Sequence, residues 1–167
     1  MKRGLGREEM AEAFSDQIIR KIEYAAVLYH RLVLVVGPAG SGKTAALQDV
    51  GIRRGTSPIN ISLELARRML ELTERQRKLQ MQRLLRKIIG DAPHELVLLD
   101  NTEVIFDTAL EQDPLRLFQG LSRSKTVVAA WNGVLVDDSL IYAAPGHPEY
   151  RRYQTQDLLI ASPDKTE

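Results

Sequence analysis

The stretch that decides the fold runs Leu32-Val33-Leu34-Val35-Val36-Gly37-Pro38-Ala39-Gly40-Ser41-Gly42-Lys43-Thr44. Its five leading apolar residues predict a strand buried on both faces, as in the middle of a parallel sheet. The eight residues that follow match the pattern G-x-x-x-x-G-K-[ST] in full. Good helix formers come next, so we predict a buried strand, a glycine-rich loop over residues 37–44 and then a helix.

Each position of the glycine-rich loop has a mechanical reason if the loop holds a polyphosphate. Glycines let backbone N–H groups point inward and approach phosphate oxygens closely. Lys43 is expected to reach the β- and γ-phosphates, and Thr44 to hold Mg²⁺ through its hydroxyl. A plain turn that binds nothing is the alternative, but it does not explain why Lys and Thr follow Gly42. The predicted nucleotide-binding residues are Gly37, Pro38, Ala39, Gly40, Ser41, Gly42, Lys43, Thr44 and Ala45.

Length and composition indicate one ordinary globular domain. The chain has 167 residues, of which 44% are hydrophobic and 27% charged, and its formal net charge is +1. That balance predicts no strong attraction of the whole molecule to nucleic acid or anionic lipid. The lack of cysteine excludes disulfides and thiolate chemistry. No run approaches the ~18 apolar residues of a membrane span, so we expect a cytoplasmic protein without membrane contact.

Periodicity and turn signals divide the chain into helices and strands within a single domain over residues 1–167. The stretch 64–89 is interpreted as one helix or two, because Thr73 and Gln76 have the spacing of a capping box. The predicted helices are residues 7–30, 64–89 and 108–122, and the other predicted strands are 59–63, 96–99, 126–131 and 158–160, with a small hairpin over 134–142, an ordered loop over 145–153 and a frayed tail over 161–167.

A second apolar strand, Leu96-Val97-Leu98-Leu99, ends at Asp100. An apolar strand that delivers a carboxylate in a chain with such a loop is typical of a Walker B element. Asp100 would then steady Mg²⁺ together with Thr44. The alternative is that Asp100 only forms the turn after the strand.

The strand over residues 126–131 ends at Asn132-Gly133. Some P-loop ATPases have an extra strand between the strand before the loop and the Walker B strand, and this strand ends in a polar sensor of the γ-phosphate or the attacking water. Asn132 has the matching place, although Asn-Gly is also the strongest hairpin dipeptide. We therefore predict an α/β fold: a three-layer P-loop NTPase domain with a parallel sheet, an additional-strand, AAA-like topology and no separate helical lid domain.

Hydrolysis of ATP needs a group that activates water and a cation that stabilises the transition state. Many relatives of this fold place Glu directly after the Walker B Asp, but here that residue is Asn101. Glu103 and Asp107 are the nearest carboxylates, and for Glu103 we weigh water activation and a surface location evenly. Arg151 and Arg152 precede the last strand, where ring-forming ATPases carry an arginine that reaches a neighbouring subunit. Either Arg151 and Arg152 reach the site of a neighbouring subunit in a homo-oligomer, or they face solvent.

The stretch 64–89 is basic, with eight Lys or Arg residues against three Glu. Two interpretations are open. The stretch contacts DNA phosphates or an acidic partner, or it is a solvated helix face, which is the commoner case for charged helices. The chain has no [NT]-K-x-D sequence, which is the usual guanine-reading device, so ATP is favoured over GTP.

Several stretches resemble the BrxF family, the small P-loop proteins of type 3 BREX bacteriophage-defence systems. The specific ones are Val127-Val128-Ala129-Ala130-Trp131-Asn132-Gly133 and Pro145-Gly146-His147-Pro148-Glu149-Tyr150-Arg151-Arg152-Tyr153, beside the loop, residues 61–77, residues 98–101 and residues 113–123. The resemblance covers most of residues 30–160. It implies a cytoplasmic prokaryotic protein that works beside a larger BREX ATPase, a DNA methyltransferase and a phosphatase-like protein to block phage replication.

The sequence thus predicts a protein that binds Mg²⁺ and ATP and hydrolyses ATP when it is assembled. Two other functions stay open. A nucleotide or small-molecule kinase would need a second substrate pocket and a mobile lid. A non-hydrolysing switch would use the nucleotide only to order an interaction surface, and Asn101 is the best indication of it.

Overall fold

The computed structural model of the protein describes residues 6–163, apart from the side chain of Ala11. Within that range the structure is α/β, with five α-helices and a mostly parallel seven-stranded sheet. The helices are α1 (Arg7–Ala25), α2 (Lys43–Arg54), α3 (Ile61–Met69), α4 (Glu74–Asp91) and α5 (Pro114–Leu121). The strands are β1 (Leu32–Gly37), β2 (Ile59–Asn60), β3 (Leu96–Asp100), β4 (Thr126–Val136), β5 (Ser139–Tyr142), β6 (Arg151–Gln154) and β7 (Leu159–Ala161).

The parallel part of the sheet has the strand order β2-β3-β4-β1-β7, so β4 lies between β1 and β3. Gly37 at the end of β1 is opposite Asn132 in β4, and Leu99 near the end of β3 is opposite Ala129. Beyond these pairs, β4 continues and pairs antiparallel with β5, which pairs with β6. The carboxyl ends of β1 and β3 therefore meet at one edge of the sheet, beside the middle of β4.

The six residues of β1 are all buried, and they alternate between two cores. Val33 and Val35 face a core that also takes apolar side chains from α1 and α2. The neighbouring residues Leu32, Leu34 and Val36 face the core that holds the apolar sides of α3, α4 and α5. Each such buried side chain contributes roughly 1.5–3 kcal/mol of transfer free energy. The prediction of a strand buried on both faces is confirmed.

Two predicted boundaries in the first half of the chain are wrong. The first helix ends at Ala25 rather than at residue 30, and residues 26–30 turn so that the chain can enter β1. The predicted strand over 59–63 keeps only Ile59 and Asn60. Asn60 caps α3 instead, because its side chain accepts a hydrogen bond from Leu63 N at 3.0 Å. The alternation of apolar residues over 59–63 was therefore misleading.

The basic stretch forms two helices, which settles the alternative left open by the sequence. Thr73 Oγ1 accepts from Gln76 N, and Gln76 Oε1 accepts from Thr73 N, which is the predicted capping box. Arg77 Nε donates to the carbonyls of Met69 and Leu72, 3.1 Å from each. These bonds satisfy backbone groups at the break, so α4 begins as a separate helix.

Differences in the second half of the chain also have local causes. Helix α5 begins at Pro114 rather than at residue 108, since Asp113 caps it, and two short 3₁₀ turns (Glu103–Phe106 and Thr108–Leu110) precede it. Asn132-Gly133 lies within β4 and is not a turn. The hairpin predicted over 134–142 is confirmed, and it turns after Val136 with Asp137 at φ 52°.

The end of the chain is more regular than predicted. The predicted loop over 145–153 contributes its last three residues to β6. Strand β7 ends at Ala161, and both Ala161 and Ser162 are buried, so a frayed tail that begins at residue 161 is wrong. Residues 164–167 of that tail lie outside the described residues. Among the helices of residues 6–163, none has the length and apolar character needed to cross a membrane.

Candidate functional site

The glycine-rich loop joins β1 to α2, as predicted. Gly37 ends the buried strand, and Gly42 is the residue before the helix, with φ 96°. A Cβ atom on Gly37 would clash with the Ser41 side chain, whereas the space beside Gly40 and Gly42 is open. Pro38, Ala39 and Gly40 are exposed. The loop therefore presents bare backbone to solvent at the N-terminus of a helix, which is the arrangement that binds phosphate groups.

Lys43 is the first residue of α2, and only 6% of its surface is exposed. Its Nζ donates to the carbonyl oxygens of Gly37 at 2.7 Å and Pro38 at 2.8 Å. Burial lowers the pKa of Lys43, and the negative charges of Glu103 and Asp100 partly oppose that shift. Both carboxylates are thus close enough to act on the Lys43 ammonium. The two residues after it, Thr44 and Ala45, are exposed.

Asp100 ends β3, and 7% of its surface is exposed. Its Oδ1 accepts a hydrogen bond from Asn101 N at 2.9 Å. That bond uses one of the lone-pair positions of the carboxylate and leaves the others for a metal ion or its bound water. The predicted strand therefore delivers its carboxylate to the edge of the sheet at which β1 ends, one strand away across β4, where its charge acts on Lys43.

A tight turn follows Asp100 and is anchored on both sides. Asn101 has the left-handed φ of 50°. Its carbonyl accepts hydrogen bonds from Ser62 N at 3.0 Å and Ser62 Oγ at 2.5 Å, at the start of α3. The next residue, Thr102, is buried and donates from Oγ1 to the carbonyl of Ala130 in β4 at 2.5 Å. This anchored turn determines the position of Glu103, the next residue.

Glu103 lies against Asn132 rather than pointing away from the site. Asn132 Nδ2 donates to Glu103 Oε1 at 2.6 Å, although Glu103 itself is exposed. Asn132 is half-buried and directly opposite Gly37 in the sheet. Lys43, Asp100, Glu103 and Asn132 therefore surround one edge of the glycine-rich loop, and a carboxylate there has a path to water.

Arg151 and Arg152 lie in β6, at the outer side of the hairpin formed with β4. Arg151 is opposite Tyr142, which is opposite Gly133, so two strand spacings, roughly 10 Å, separate Arg151 from β4. Arg152 Nε donates to Ser139 Oγ at 3.1 Å, and Arg151 donates to the carbonyl of Tyr150 at 3.3 Å. Within residues 6–163, neither arginine has a hydrogen bond or ion pair to the glycine-rich loop.

The residues present fit a bound polyphosphate with a divalent metal. Ser41 Oγ is buried at the loop and has no hydrogen-bond partner among the described residues. A ligand oxygen at the loop would satisfy that hydroxyl, which otherwise carries the desolvation penalty of an unpaired polar group. Thr44 and Asp100 supply the oxygen ligands that Mg²⁺ prefers.

Sequence reasoning missed Ser62 and Thr102, the two anchors of the turn after Asp100. Both are common polar residues, and their roles depend on which backbone carbonyl the tertiary structure places nearby. No spacing or motif in the chain indicates them.

Comparison of the chain with protein-family models gives no match, and comparison with curated proteins gives no significant one.

Proposed function

We propose that the protein is a P-loop NTPase of the additional-strand, AAA-like type. The supporting observations are the strand-loop-helix arrangement of residues 32–54 and the place of β4 between β1 and β3. Helices packed against both faces of the sheet fit the three-layer architecture of this class. The particular function we propose is Mg²⁺-dependent binding of ATP, and its hydrolysis in an assembled homo-oligomer.

The observation that carries the proposal is the surroundings of Lys43. A buried ammonium at the N-terminus of a helix, with exposed backbone before it and two carboxylates near it, matches the needs of a metal-bound polyphosphate. Lys43 would exchange its bonds to the loop carbonyls for bonds to phosphate oxygens. Thr44 and Asp100 would hold Mg²⁺, which neutralises phosphate charge when it is bound.

Glu103 is the residue that we propose activates the attacking water. The usual position after the Walker B Asp is occupied by Asn101, which has no basic group. The turn at Asn101 brings the next carboxylate, two residues later, against Asn132 at the same edge. Glu103 would orient the water and accept its proton, while the Asn132 amide holds the carboxylate in place.

A non-hydrolysing switch is the second candidate, and the inward bonding of Lys43 favours it. The Lys43 ammonium is already bound by two loop carbonyls, so nucleotide binding must rearrange the loop. Such a rearrangement would reach α3 through the turn that Ser62 holds. In this case binding changes a surface and hydrolysis is not needed.

The biological setting that we propose rests on the resemblance of the sequence alone. A BrxF-like role would place the protein in the cytoplasm with other BREX proteins, namely the larger ATPase, the methyltransferase and the phosphatase-like protein. The stretches that carry this resemblance include Asn132 and the two arginines of β6. Co-purification with those proteins from a strain with a type 3 BREX system tests the setting.

The activity is tested by ATP binding and phosphate release over a range of protein concentrations, with and without Mg²⁺. We expect Lys43→Ala to abolish binding, and Glu103→Gln to keep binding while lowering turnover about 10²–10⁴-fold. Glu111→Gln is the matched control, because Glu111 is an exposed carboxylate that pairs with Lys78.

The outcomes of that assay separate the candidates. Binding without turnover at any concentration supports the switch and rejects the ATPase. Turnover that appears only with an added phosphate acceptor supports a kinase. No binding of ATP by the wild type rejects the proposed function altogether.

A further inference from the structure

We propose that the outward face of α4 binds double-stranded DNA through its phosphate backbone. We call this surface the basic face and define it by Arg75, Arg83, Arg86 and Lys87, all of which are exposed. The inference does not depend on nucleotide binding, since it uses a different surface of the molecule.

The charge of the molecule is unevenly distributed, and α4 holds the positive excess. Helix α4 contains six Lys or Arg residues against two acidic ones, Glu74 and Asp91, which are its first and last residues. The whole chain has 23 basic and 22 acidic residues, so the rest of it is net negative. A local positive patch on a nearly neutral protein raises the local concentration of a polyanion without attracting it to other surfaces.

The other basic side chains of the stretch 64–89 already have partners within the protein. Arg67 and Arg68 pair with Glu64, and Lys78 pairs with Glu111 at 2.9 Å. Arg77 caps α3. The basic face is what remains, and its four members have no ion pair within 4 Å among residues 6–163. Structural roles therefore do not account for these four charges.

The basic face is extended by a groove of about 230 Å³ between α4 and α5. Arg86 lines it from one side and Arg116 from the other. The acidic residues at this groove already have partners: Glu111 pairs with Lys78, and Asp113 caps α5, accepts from the hydroxyl of Tyr153 at 2.9 Å and pairs with Arg116 at 3.8 Å, so Arg86 is the groove's cation without an ion pair within the described residues. The groove can thus receive an anion beside Arg86.

The chemistry of the basic face fits duplex DNA better than other polyanions. Three of its four members are arginines, whose planar fork matches phosphate oxygens. Aromatic side chains, on which single-stranded bases would stack, are missing from α4. The only large exposed apolar residue of α4 is Leu79, whereas the core of a protein–protein interface is rich in apolar and aromatic residues.

The length of the basic face matches the spacing of a DNA groove. Arg75 and Arg86 are separated by 11 positions on the helix, which is roughly 16 Å. Long side chains at these positions would reach phosphates on both sides of a major groove about 12 Å wide. The major groove of an RNA duplex is deep and narrow and does not offer this geometry.

The test is fluorescence anisotropy of a labelled DNA duplex of mixed sequence, titrated with the full-length protein at several salt concentrations. We expect wild-type binding to weaken with salt by a slope of about −0.9 for each phosphate neutralised. The variant Arg83→Gln/Arg86→Gln/Lys87→Gln should bind at least about tenfold more weakly, with a slope shallower by about three. It should still bind ATP like the wild type if the protein binds ATP at all.

The matched control is Arg7→Gln/Lys21→Gln/Arg54→Gln, which removes three positive charges from α1 and α2, on the opposite face of the sheet. Thermal unfolding checks that both variants are folded, and only the first should lose DNA binding. Failure of the wild type to bind duplex DNA at low salt would overturn the proposal. So would an equal loss in both variants, or tighter binding of duplex RNA or single strands than of duplex DNA.

Discussion

At the scale of single residues, the site is built from backbone shape as much as from charged groups. Lys43 follows β1 through the loop, Asp100 ends β3 and Asn132 lies in β4, and parallel strands bring such residues to one edge. Glu103 reaches the same edge only because Asn101 adopts a left-handed φ and Thr102 is tied to β4. Glu103 is therefore two positions further along the chain than Asn101, where the catalytic carboxylate was expected, and it still lies near the loop.

Tyr142 gives a prediction for alkaline pH. Burial, together with the negative charges of Glu149 and Glu103, raises the pKa of Tyr142 to about 12. Between about pH 10 and 12 the unfolded chain loses this proton and the folded chain keeps it, so the free energy of unfolding falls as pH rises. Relative to Tyr142→Phe, the wild type should lose on the order of 2–3 kcal/mol across that window. Urea unfolding of both proteins from pH 9 to 12 measures the difference.

The control for that experiment is Tyr24→Phe, which removes the hydroxyl of a tyrosine that is 67% exposed. It should retain the pH dependence of the wild type. If Tyr142→Phe and the wild type lost stability in parallel above pH 10, the buried environment of the Tyr142 hydroxyl would be contradicted.

At the scale of secondary structure elements, the long strand β4 connects the site to the hairpin with β5 and β6. Gly133 is the first residue of β4 that pairs with β5, and a Cβ atom there would clash with the backbone carbonyl of Ile141. Backbone atoms cannot move aside as a flexible side chain can. Gly133→Ala should therefore destabilise the protein by about 1–3 kcal/mol, measured by urea unfolding.

The matched control for Gly133→Ala is Gly90→Ala in α4, where an added Cβ meets no atom within 4 Å. Alanine is a better helix former than glycine, so this variant should gain up to about 1 kcal/mol. Equal effects of the two substitutions would show that the close approach of β4 and β5 does not constrain residue 133.

Sequence reasoning predicted the elements whose signals are local and strong. The apolar runs of β1 and β3, the glycine-rich loop and the capping box at Thr73 needed no tertiary information. The mistakes occurred where one pattern fits two structures. Residues 59–63 alternate like a strand, but the Asn60 side chain satisfies the first amides of a helix. At Asn132-Gly133 the turn was left open as an alternative, and the structure excludes it: strand pairing continues through these residues, because glycine permits the close approach of β5.

The part of the candidate site that lies at the ends of strands was predictable from the sequence. Lys43 after β1 and Asp100 at the end of β3 lie in the elements that the sequence predicted, and their roles toward a nucleotide stay predictions. The contact of Glu103 with Asn132 was not predictable, since it depends on the turn at Asn101. The anchors Ser62 and Thr102 act through single backbone carbonyls, and nothing in a sequence marks which carbonyl will be near.

At the scale of the whole molecule, the proposed ATPase needs a cation that stabilises the transition state. The arginines of β6 do not supply it to the loop of their own subunit. Arg151 and Arg152 lie on the outer side of the hairpin, and Arg152 is held there by Ser139. If they act on a neighbouring subunit, Arg151→Ala/Arg152→Ala should lower turnover about 10³–10⁵-fold without lowering ATP affinity to the same extent. Phosphate release and nucleotide binding measure the two effects separately.

Mixing two inactive variants then decides whether the arginines act between subunits. Lys43→Ala subunits keep their arginines, and Arg151→Ala/Arg152→Ala subunits keep their loop, so mixed assemblies should contain complete sites and regain turnover. The control is a mixture of Lys43→Ala with Glu103→Gln, in which each subunit has a defective loop edge and no complete site can form. Recovery of turnover in both mixtures would mean that mixing itself restores activity, through refolding or subunit exchange, and that complete sites are not the cause. Recovery in neither would mean that the arginines serve the hairpin itself, and that the catalytic cation has to be sought within the subunit.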